Sequence, residues 1–312
     1  MYKKAIPDIW NGRIDDKNNK KSFRFHQMVQ CKNIAEIKSQ EGNTILIGFE
    51  SDEGVRRNKG RTGAAQGPDK IKEMMAKLPY NINQQHLIDV GNVICEGDRL
   101  EKAQTELGKK ITEILNHKHT PIILGGGHET LYGHYLGVRN YIKDNNSIGI
   151  INIDAHFDMR KEDFPSSGTM FKQILDEDSK AGYLCLGIQE FGNTKALFET
   201  AESYGCQYIL EEDITSNQFK HTFDVIDQFA QQYDVVMFTL CSDSLNASEA
   251  PGVSAPSPLG LEAKTVRTLL RHISKKQNAI SFDISEVNPL VDENEKTSKL
   301  AAILVAEVMK FL

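Results

Sequence analysis

Apolar residues fall into two alternating rhythms along the chain. Short runs rich in Val, Ile and Leu recur at Thr44–Phe49, His86–Val90, Thr120–Leu124, Ser147–Ile153, Gly182–Gly187, Gln207–Glu212, Asp234–Leu240 and Asn278–Ile284, and they predict about eight strands. Several are apolar at consecutive positions, as in Ile148-Gly149-Ile150-Ile151, which suits parallel strands buried on both faces. Between the runs, apolar positions three and four residues apart mark Leu100–His117, Phe219–Gln232 and Leu261–Ser274 as amphipathic helices, each long enough for a crossover connection. The repeated β-α order predicts an α/β fold, a single three-layer αβα domain around an eight-stranded parallel sheet. No linker or fixed-period repeat divides it. Residues 1–40, with the only tryptophan at Trp10, are expected to be an N-terminal extension packed on the core, and residues 41–312 the main domain.

Composition narrows the class. Hydrophobic residues make up 39% and charged residues 26% of the 312, the balance of a soluble globular chain. A net charge of −6 without a long basic run gives nothing to draw nucleic acid or an anionic membrane. The start, Met1 to Pro7, lacks the apolar segment of a signal peptide, and no 18-residue apolar span occurs, so the expected location is cytoplasmic. Five cysteines (Cys31, Cys95, Cys185, Cys206, Cys241) at irregular spacings make neither a disulfide framework nor a zinc finger.

Gly60-Arg61-Thr62-Gly63-Ala64-Ala65-Gln66-Gly67-Pro68 is a glycine-dense loop leading into a helix, with Pro68 suited to the first turn. It either borders a ligand or is a tight surface loop; without a G-K-[ST] ending it is not a phosphate loop.

Parallel sheets place ligands at the carboxyl ends of their strands, and three polar clusters stand there. Gly125-Gly126-Gly127-His128-Glu129 follows one strand, Asp154-Ala155-His156-Phe157-Asp158 a second, and Cys241-Ser242-Asp243 a third. An extended backbone would project Asp154, His156 and Asp158 from one face, as a metal site requires. Two carboxylates and an imidazole at a buried sheet end would be costly unless a cation compensated them. With His128, Cys241 and Asp243 there are six candidate donors, enough for two ions. A lone histidine is more often a hydrogen-bonded core residue, but the triple glycine before His128 implies a close backbone approach, which metal or ligand fits. His117, His119, His134 and His272 have no such setting and are read as structural.

These residues resemble the motifs of the ureohydrolase family, the arginases, agmatinases and formimidoylglutamases. The family carries G-G-x-H, D-A-H-x-D and S-x-D-x-D leading to A-P-G. This chain has Gly125-Gly126-Gly127-His128, Asp154-Ala155-His156-Phe157-Asp158, and Thr239-Leu240-Cys241-Ser242-Asp243 leading to Ala250-Pro251-Gly252, in the same order and spacing, with Glu286-Val287-Asn288-Pro289 near the end. The resemblance implies an arginase-like fold. It also implies two divalent metal ions, usually manganese, held by His128, Asp154, His156, Asp158 and Asp243, with Glu286 binding the cationic amidine or guanidine. Metal-activated water would attack the amidine carbon and Asp158 would take its proton. Relatives commonly form homo-oligomers, and the expected partner is a small-molecule substrate.

Departures from the family pattern narrow the branch. Cys241 stands where most members have a metal-binding Asp; a thiolate there is a softer donor and admits zinc, cobalt or iron, while the alternative is an apolar cysteine beside the site. Phe171 replaces a histidine that serves proton transfer in arginases. Arg160, where arginases have a smaller polar residue, can grip a carboxylate bidentately, or it is a solvated surface charge. Ser167, Thr169, Gln189 and Asn193 match further substrate-binding positions, although Gln189 and Asn193 are turn residues nearly as often. Together these features resemble the formimidoylglutamase branch, which hydrolyses N-formimidoyl-L-glutamate to L-glutamate and formamide in histidine degradation. The alternatives are another ureohydrolase acting on a guanidino compound, and a non-catalytic descendant, for which Asn246-Ala247 in place of the usual Asp-Pro would speak.

Overall fold

The computed structural model describes residues 1–37, 42–82, 87–143, 146–215 and 219–312. Among them ten strands form one sheet: β1 (Tyr2–Lys3), β2 (Val29–Cys31), β3 (Thr44–Glu50), β4 (Leu87–Ile94), β5 (Thr120–Leu124), β6 (Ile148–Ile153), β7 (Ala181–Ile188), β8 (Gln207–Leu210), β9 (Val235–Cys241) and β10 (Ala279–Ser285). Their order across the sheet is β1-β4-β3-β5-β10-β9-β6-β7-β8, with β2 also on β4. β3 to β10 are the eight expected strands and are all mutually parallel. His86, the expected start of one strand, lies outside the described residues. The run at Gln207 stops at Leu210 because Glu211–Asp213 curl into a 3-10 turn.

The two additional strands come from the N-terminal segment. β1 runs antiparallel along Asn92 and Val93, and β2 parallel along Leu87–Asp89, covering the edge of β4 that β3 leaves free. With two and three residues, neither is long enough to show an apolar rhythm in sequence. Trp10 is buried in the apolar cluster, and its indole Nε1–H donates to Asp89 Oδ2 at 2.9 Å. Asp89 Oδ1 in turn accepts from the buried Lys72 Nζ at 2.8 Å. The boundary expected between residues 40 and 41 lies outside the described residues.

Nine helices are described: α1 (Glu53–Arg57), α2 (Gly67–Ala76), α3 (Leu100–Asn116), α4 (Thr130–Ile142), α5 (Met170–Glu177), α6 (Lys195–Ser203), α7 (Phe219–Ala230), α8 (Ala263–Ile273) and α9 (Lys296–Met309). The consecutive apolar positions of the strands separate by the period of two. Leu46, Ile122, Leu124, Phe238 and Ile284 pack beneath α2, α7, α8 and α9, while Ile45, Ile47, Ile123, Ile148 and Met237 pack beneath α3, α4 and α5. Helical periodicity supplies the other half of each cluster: Val266, Leu269, Leu270 and Ile273 of α8 fall on one stripe and all are buried. Each such side chain contributes about 1.5–3 kcal/mol relative to exposure. The sheet is thus covered by helices on both faces. Among the described residues, no helix is long and apolar enough to cross a membrane.

Candidate metal centre

The order β5-β10-β9-β6 sets four carboxyl ends side by side, and the three polar clusters plus Glu286 lie immediately beyond them. The triple glycine after β5 serves protein packing. Gly125 N–H donates to Ile284 O at 2.7 Å, Gly127 N–H to Ser51 O at 2.8 Å, and Gly126 O accepts from Glu286 N–H at 2.7 Å. A Cβ on Gly126 would overlap the Ser51 carbonyl, so the close approach inferred from sequence is to backbone and not to a ligand. That crossing fixes His128 and Glu286 against each other: His128 N–H donates to Glu286 Oε1 at 2.9 Å.

Asp154, His156 and Asp158 converge by a bend instead of an extended strand. His156 N–H donates to Asp154 Oδ1 at 2.9 Å, and Asp158 takes a left-handed φ of 49°. The bend buries Ala155 and Phe157 behind the site. Asn193 holds it by accepting from Phe157 N–H at 3.0 Å and donating to Ala155 O and Gln189 O at 2.9 Å each. Glu286, at φ 69°, is a second residue of the site in this sparsely populated region.

Asp154 turns one oxygen to each histidine. Oδ2 lies 3.0 Å from His128 Nδ1, and Oδ1 lies 3.6 Å from His156 Nδ1. Asp158 Oδ2 also lies 3.0 Å from His128 Nδ1, and Asp243 Oδ2 lies 3.3 Å from His156 Nδ1. Two donor groups suited to a metal ion result, His128 with Asp154 and Cys241, and Asp154 with His156 and Asp243. Asp154 belongs to both.

The electrostatics favour a cation. Burial, Asp243 and Glu129 push the Glu286 carboxyl up to about 8, and burial with Asp154 raises Asp158. Burial lowers both imidazoles, but the carboxylates outweigh it, raising His128 and pushing His156 up to about 12. Burial, then Asp154 and Asp243, hold the Cys241 thiol well above its usual range. Without a metal ion, protons held on His128, His156 and Glu286 offset the crowded carboxylates. Asp243 Oδ1 and Glu286 Oε2 are buried without a hydrogen-bond partner among the described residues, which is the condition a bound cation or cationic ligand relieves. The donors present therefore fit divalent metal.

His128, His156, Asp158, Cys241, Asp243 and Glu286 open onto a cavity of about 440 Å³. Of the expected substrate residues, Arg160, Ser167 and Asn193 line it, and Thr169 and Gln189 do not. Thr169 Oγ1 is engaged behind the wall, accepting from Ser166 N–H at 2.9 Å and Gln173 Nε2 at 2.7 Å. Gln189 contributes its backbone N–H to Ala155 O at 3.1 Å. Gly60 and Arg61 also line the cavity, so the glycine-dense loop does border it. Arg61 is tied to the opposite rim, donating to Val253 O at 2.6 Å and Ser254 O at 2.9 Å.

Asn58 is not among the residues expected to bind substrate or metal, yet it braces the site. Its Oδ1 accepts from Arg160 Nη2, and its Nδ2 donates to Ser167 Oγ at 3.0 Å. Gly168 packs so closely that a Cβ would overlap the Arg160 guanidinium. The signal for Asn58 is its place in Gly54-Val55-Arg56-Arg57-Asn58-Lys59-Gly60-Arg61, a segment that resembles that of formimidoylglutamases and leads into the glycine loop.

Comparison with known proteins agrees with this site. A family model described as the arginase family matches residues 43–310. The chain belongs to the arginase family. A formimidoylglutamase of Geobacillus sp. (strain WCH70) is 54% identical, over 99% of this chain and 96% of its own. Among solved structures, the formimidoylglutamase of Bacillus subtilis superposes with a TM-score of 0.84 at 20% identity, covering 95% of this chain and 94% of its own. Trypanosoma cruzi formiminoglutamase with Mn2+2 gives 0.77 at 23%, covering 89% and 97%. In this arginase-family protein Phe171 is fully buried, stacked on Tyr183 at 3.8 Å and edge-on to His128 at 6.0 Å. An aromatic wall therefore stands behind His128, with no titratable group at that position.

Proposed function

We propose that this protein hydrolyses N-formimidoyl-L-glutamate to L-glutamate and formamide. The observation that carries the reading is the cavity's polarity: the unpartnered Glu286 Oε2 lies beside the metal donors, and Arg160 stands on the same cavity's wall. The substrate is an amidinium joined to a dicarboxylate, so one end calls for a carboxylate and the other for a guanidinium. Full-length identity of 54% to a formimidoylglutamase supports the same substrate.

His128, Asp154 and Cys241 would hold one ion, and Asp154, His156 and Asp243 the other, with Asp158 beside His128; we take both ions to be manganese. When bound, they would supply an activated water and offset the negative charge on its oxygen as that oxygen attacks the amidine carbon. Glu286 Oε2 accepts from the amidinium and fixes its plane, while the His128 N–H holds Oε1 and keeps the carboxylate from turning. Asp158 would take a proton from the water at a carboxylate oxygen as the water oxygen bonds to the amidine carbon, and would return it to the departing glutamate nitrogen as that nitrogen's bond to the carbon breaks. Arg160, braced by Asn58 and Gly168, grips a substrate carboxylate. Ser167 and Asn193 line the cavity as polar neighbours of the glutamate portion.

Residues 1–40 are read as an extension of this one unit, supported by the family match that begins at residue 43 and by the burial of Trp10. Family resemblance alone supports a cytoplasmic homo-oligomer, and light scattering checks its mass.

Formamide release from N-formimidoylglutamate by manganese-loaded protein tests the activity, with urea release from arginine, agmatine and guanidinobutyrate measured alongside. Formamide as the dominant product bears the proposal out. Urea from a guanidino acid as the faster reaction overturns the substrate.

A further inference from the structure

A buried chain of hydrogen bonds runs from the candidate metal centre to His134. His128 Nε2 lies 3.2 Å from Thr239 Oγ1, and the Thr239 hydroxyl donates to Asp283 Oδ1 at 2.7 Å. Asp283 Oδ2 lies 2.7 Å from His134 Nδ1, and His134 Nε2 lies 2.7 Å from Ser281 Oγ. Thr239, Asp283, His134 and Ser281 are completely buried, and His128 nearly so. The spacing is built into the fold: Thr239 of β9 and Asp283 of β10 are register partners, and α4 carries His134 over them.

The donor and acceptor inventory assigns a direction to every link. A carboxylate can only accept, so the single hydroxyl hydrogen of Thr239 points at Asp283. The hydroxyl lone pair then faces His128, whose Nε2 must carry the hydrogen. His134 likewise gives its Nδ1–H to Asp283 and accepts from Ser281, while Ser285 Oγ adds a third donor to Asp283 at 3.3 Å. Held from three sides, the Asp283 carboxylate cannot turn, and the atom left facing Asp154 and Asp158 is His128 Nδ1.

We propose that His134 is a positioning residue of the metal centre: acting through Asp283 and Thr239, it fixes the ring orientation and Nε2–H tautomer of His128, so that Nδ1 presents its lone pair to the ion. The inference rests on the reading of His128 as a metal ligand. A purely architectural role accounts poorly for the arrangement, because apolar side chains would fill the space between α4 and the sheet without orphaning polar groups. A hydrogen-bonded partner beyond a ligating imidazole commonly governs metal affinity about 10- to 100-fold.

The test is Mn2+ affinity, by equilibrium dialysis of the metal-free full chain, together with the melting temperature of each metal-free protein. Thr239→Val deletes the hydroxyl at nearly constant volume, and Thr239→Ser retains it. His134→Leu removes the donor to Asp283, and His134→Asn restores an N–H there. The expected result is binding of one ion weakened roughly 10- to 100-fold in Thr239→Val and His134→Leu, with Thr239→Ser and His134→Asn returned toward wild type. Wild-type affinity in Thr239→Val and His134→Leu, with only the melting temperature lowered, overturns the positioning role and leaves the metal centre standing. Wild-type protein that holds fewer than two ions overturns the metal centre, and the positioning role with it. Should His134→Leu fail to fold, the Thr239 pair decides alone: equal weakening in Val and Ser overturns the inference.

Discussion

Glu286 and His128 are locked together across the sheet end: the His128 backbone N–H donates to Glu286 Oε1 at 2.9 Å, while Glu286 Oε2 is buried without a partner among the described residues. The carboxylate is thus oriented by the same turn that carries the candidate metal donor His128, and its free oxygen, like Asp243 Oδ1, is an unpartnered acceptor on the cavity wall among the described residues. Glu286→Gln keeps the shape and the bond to His128 but removes the charge. We expect kcat/KM for N-formimidoylglutamate to fall about 10- to 150-fold, the loss of a charge-assisted hydrogen bond of about 1.5–3 kcal/mol. Metal content should be unchanged. Steady-state kinetics with metal analysis of the same sample checks this, and undiminished activity sinks the assigned orientation.

Arg160 is bracketed by Asn58 and by the bare Cα of Gly168. Arg160→Ala should raise KM for N-formimidoylglutamate by roughly tenfold or more, and leave a neutral amidine nearly unaffected. Gly168→Ala, which pushes a methyl into the guanidinium, should move KM in the same direction. Equal losses on both substrates would refute the carboxylate grip.

Cys241 is grouped with His128 and Asp154 as a metal donor. Replacing a thiol by a carboxylate exchanges a soft donor for a hard one. Cys241→Asp should therefore shift the metals retained from an equimolar Mn2+ and Zn2+ mixture toward manganese, read by elemental analysis after desalting. An unchanged ratio means that the sulfur does not coordinate.

Metal loading should release protons. Although burial pulls His156 down, Asp243 and Asp154 push it up to about 12, so at neutral pH the metal-free ring is charged. A cation needs a ring lone pair, hence each ring that binds gives up its proton, and apparent affinity rises with pH. The expected slope is about tenfold per pH unit for each proton released. Calorimetry in buffers of different ionisation enthalpy counts these protons, and a pH-independent affinity contradicts the raised imidazoles. Chelation should also lower the melting temperature, since metal at about 100 times its Kd stabilises by about 2.7 kcal/mol.

Much of the architecture is legible in the apolar pattern, because a strand buried on both faces needs consecutive apolar residues whatever lies around it. Thr120–Leu124 was placed to the residue, and Asp154, His156 and Asp158 announced themselves by standing together after a strand. Contacts that depend on distant segments left no such trace. Asn193 carries the amide that braces the Asp154–Asp158 bend, Thr169 lies behind the wall, and Asn58 meets Arg160 across 102 residues.

The parallel sheet, the family and the candidate metal donors are legible in the chain alone, since hydrophobic periodicity and contiguous motifs are local properties. Which polar groups share a partner depends on how distant segments meet. The order β5-β10-β9-β6 is set by crossovers, and only that order puts His128, Thr239, Asp283 and His134 within hydrogen-bond reach of one another. It also gave the glycines before His128 their purpose, a backbone crossing at Ser51 that no neighbour in the sequence reveals.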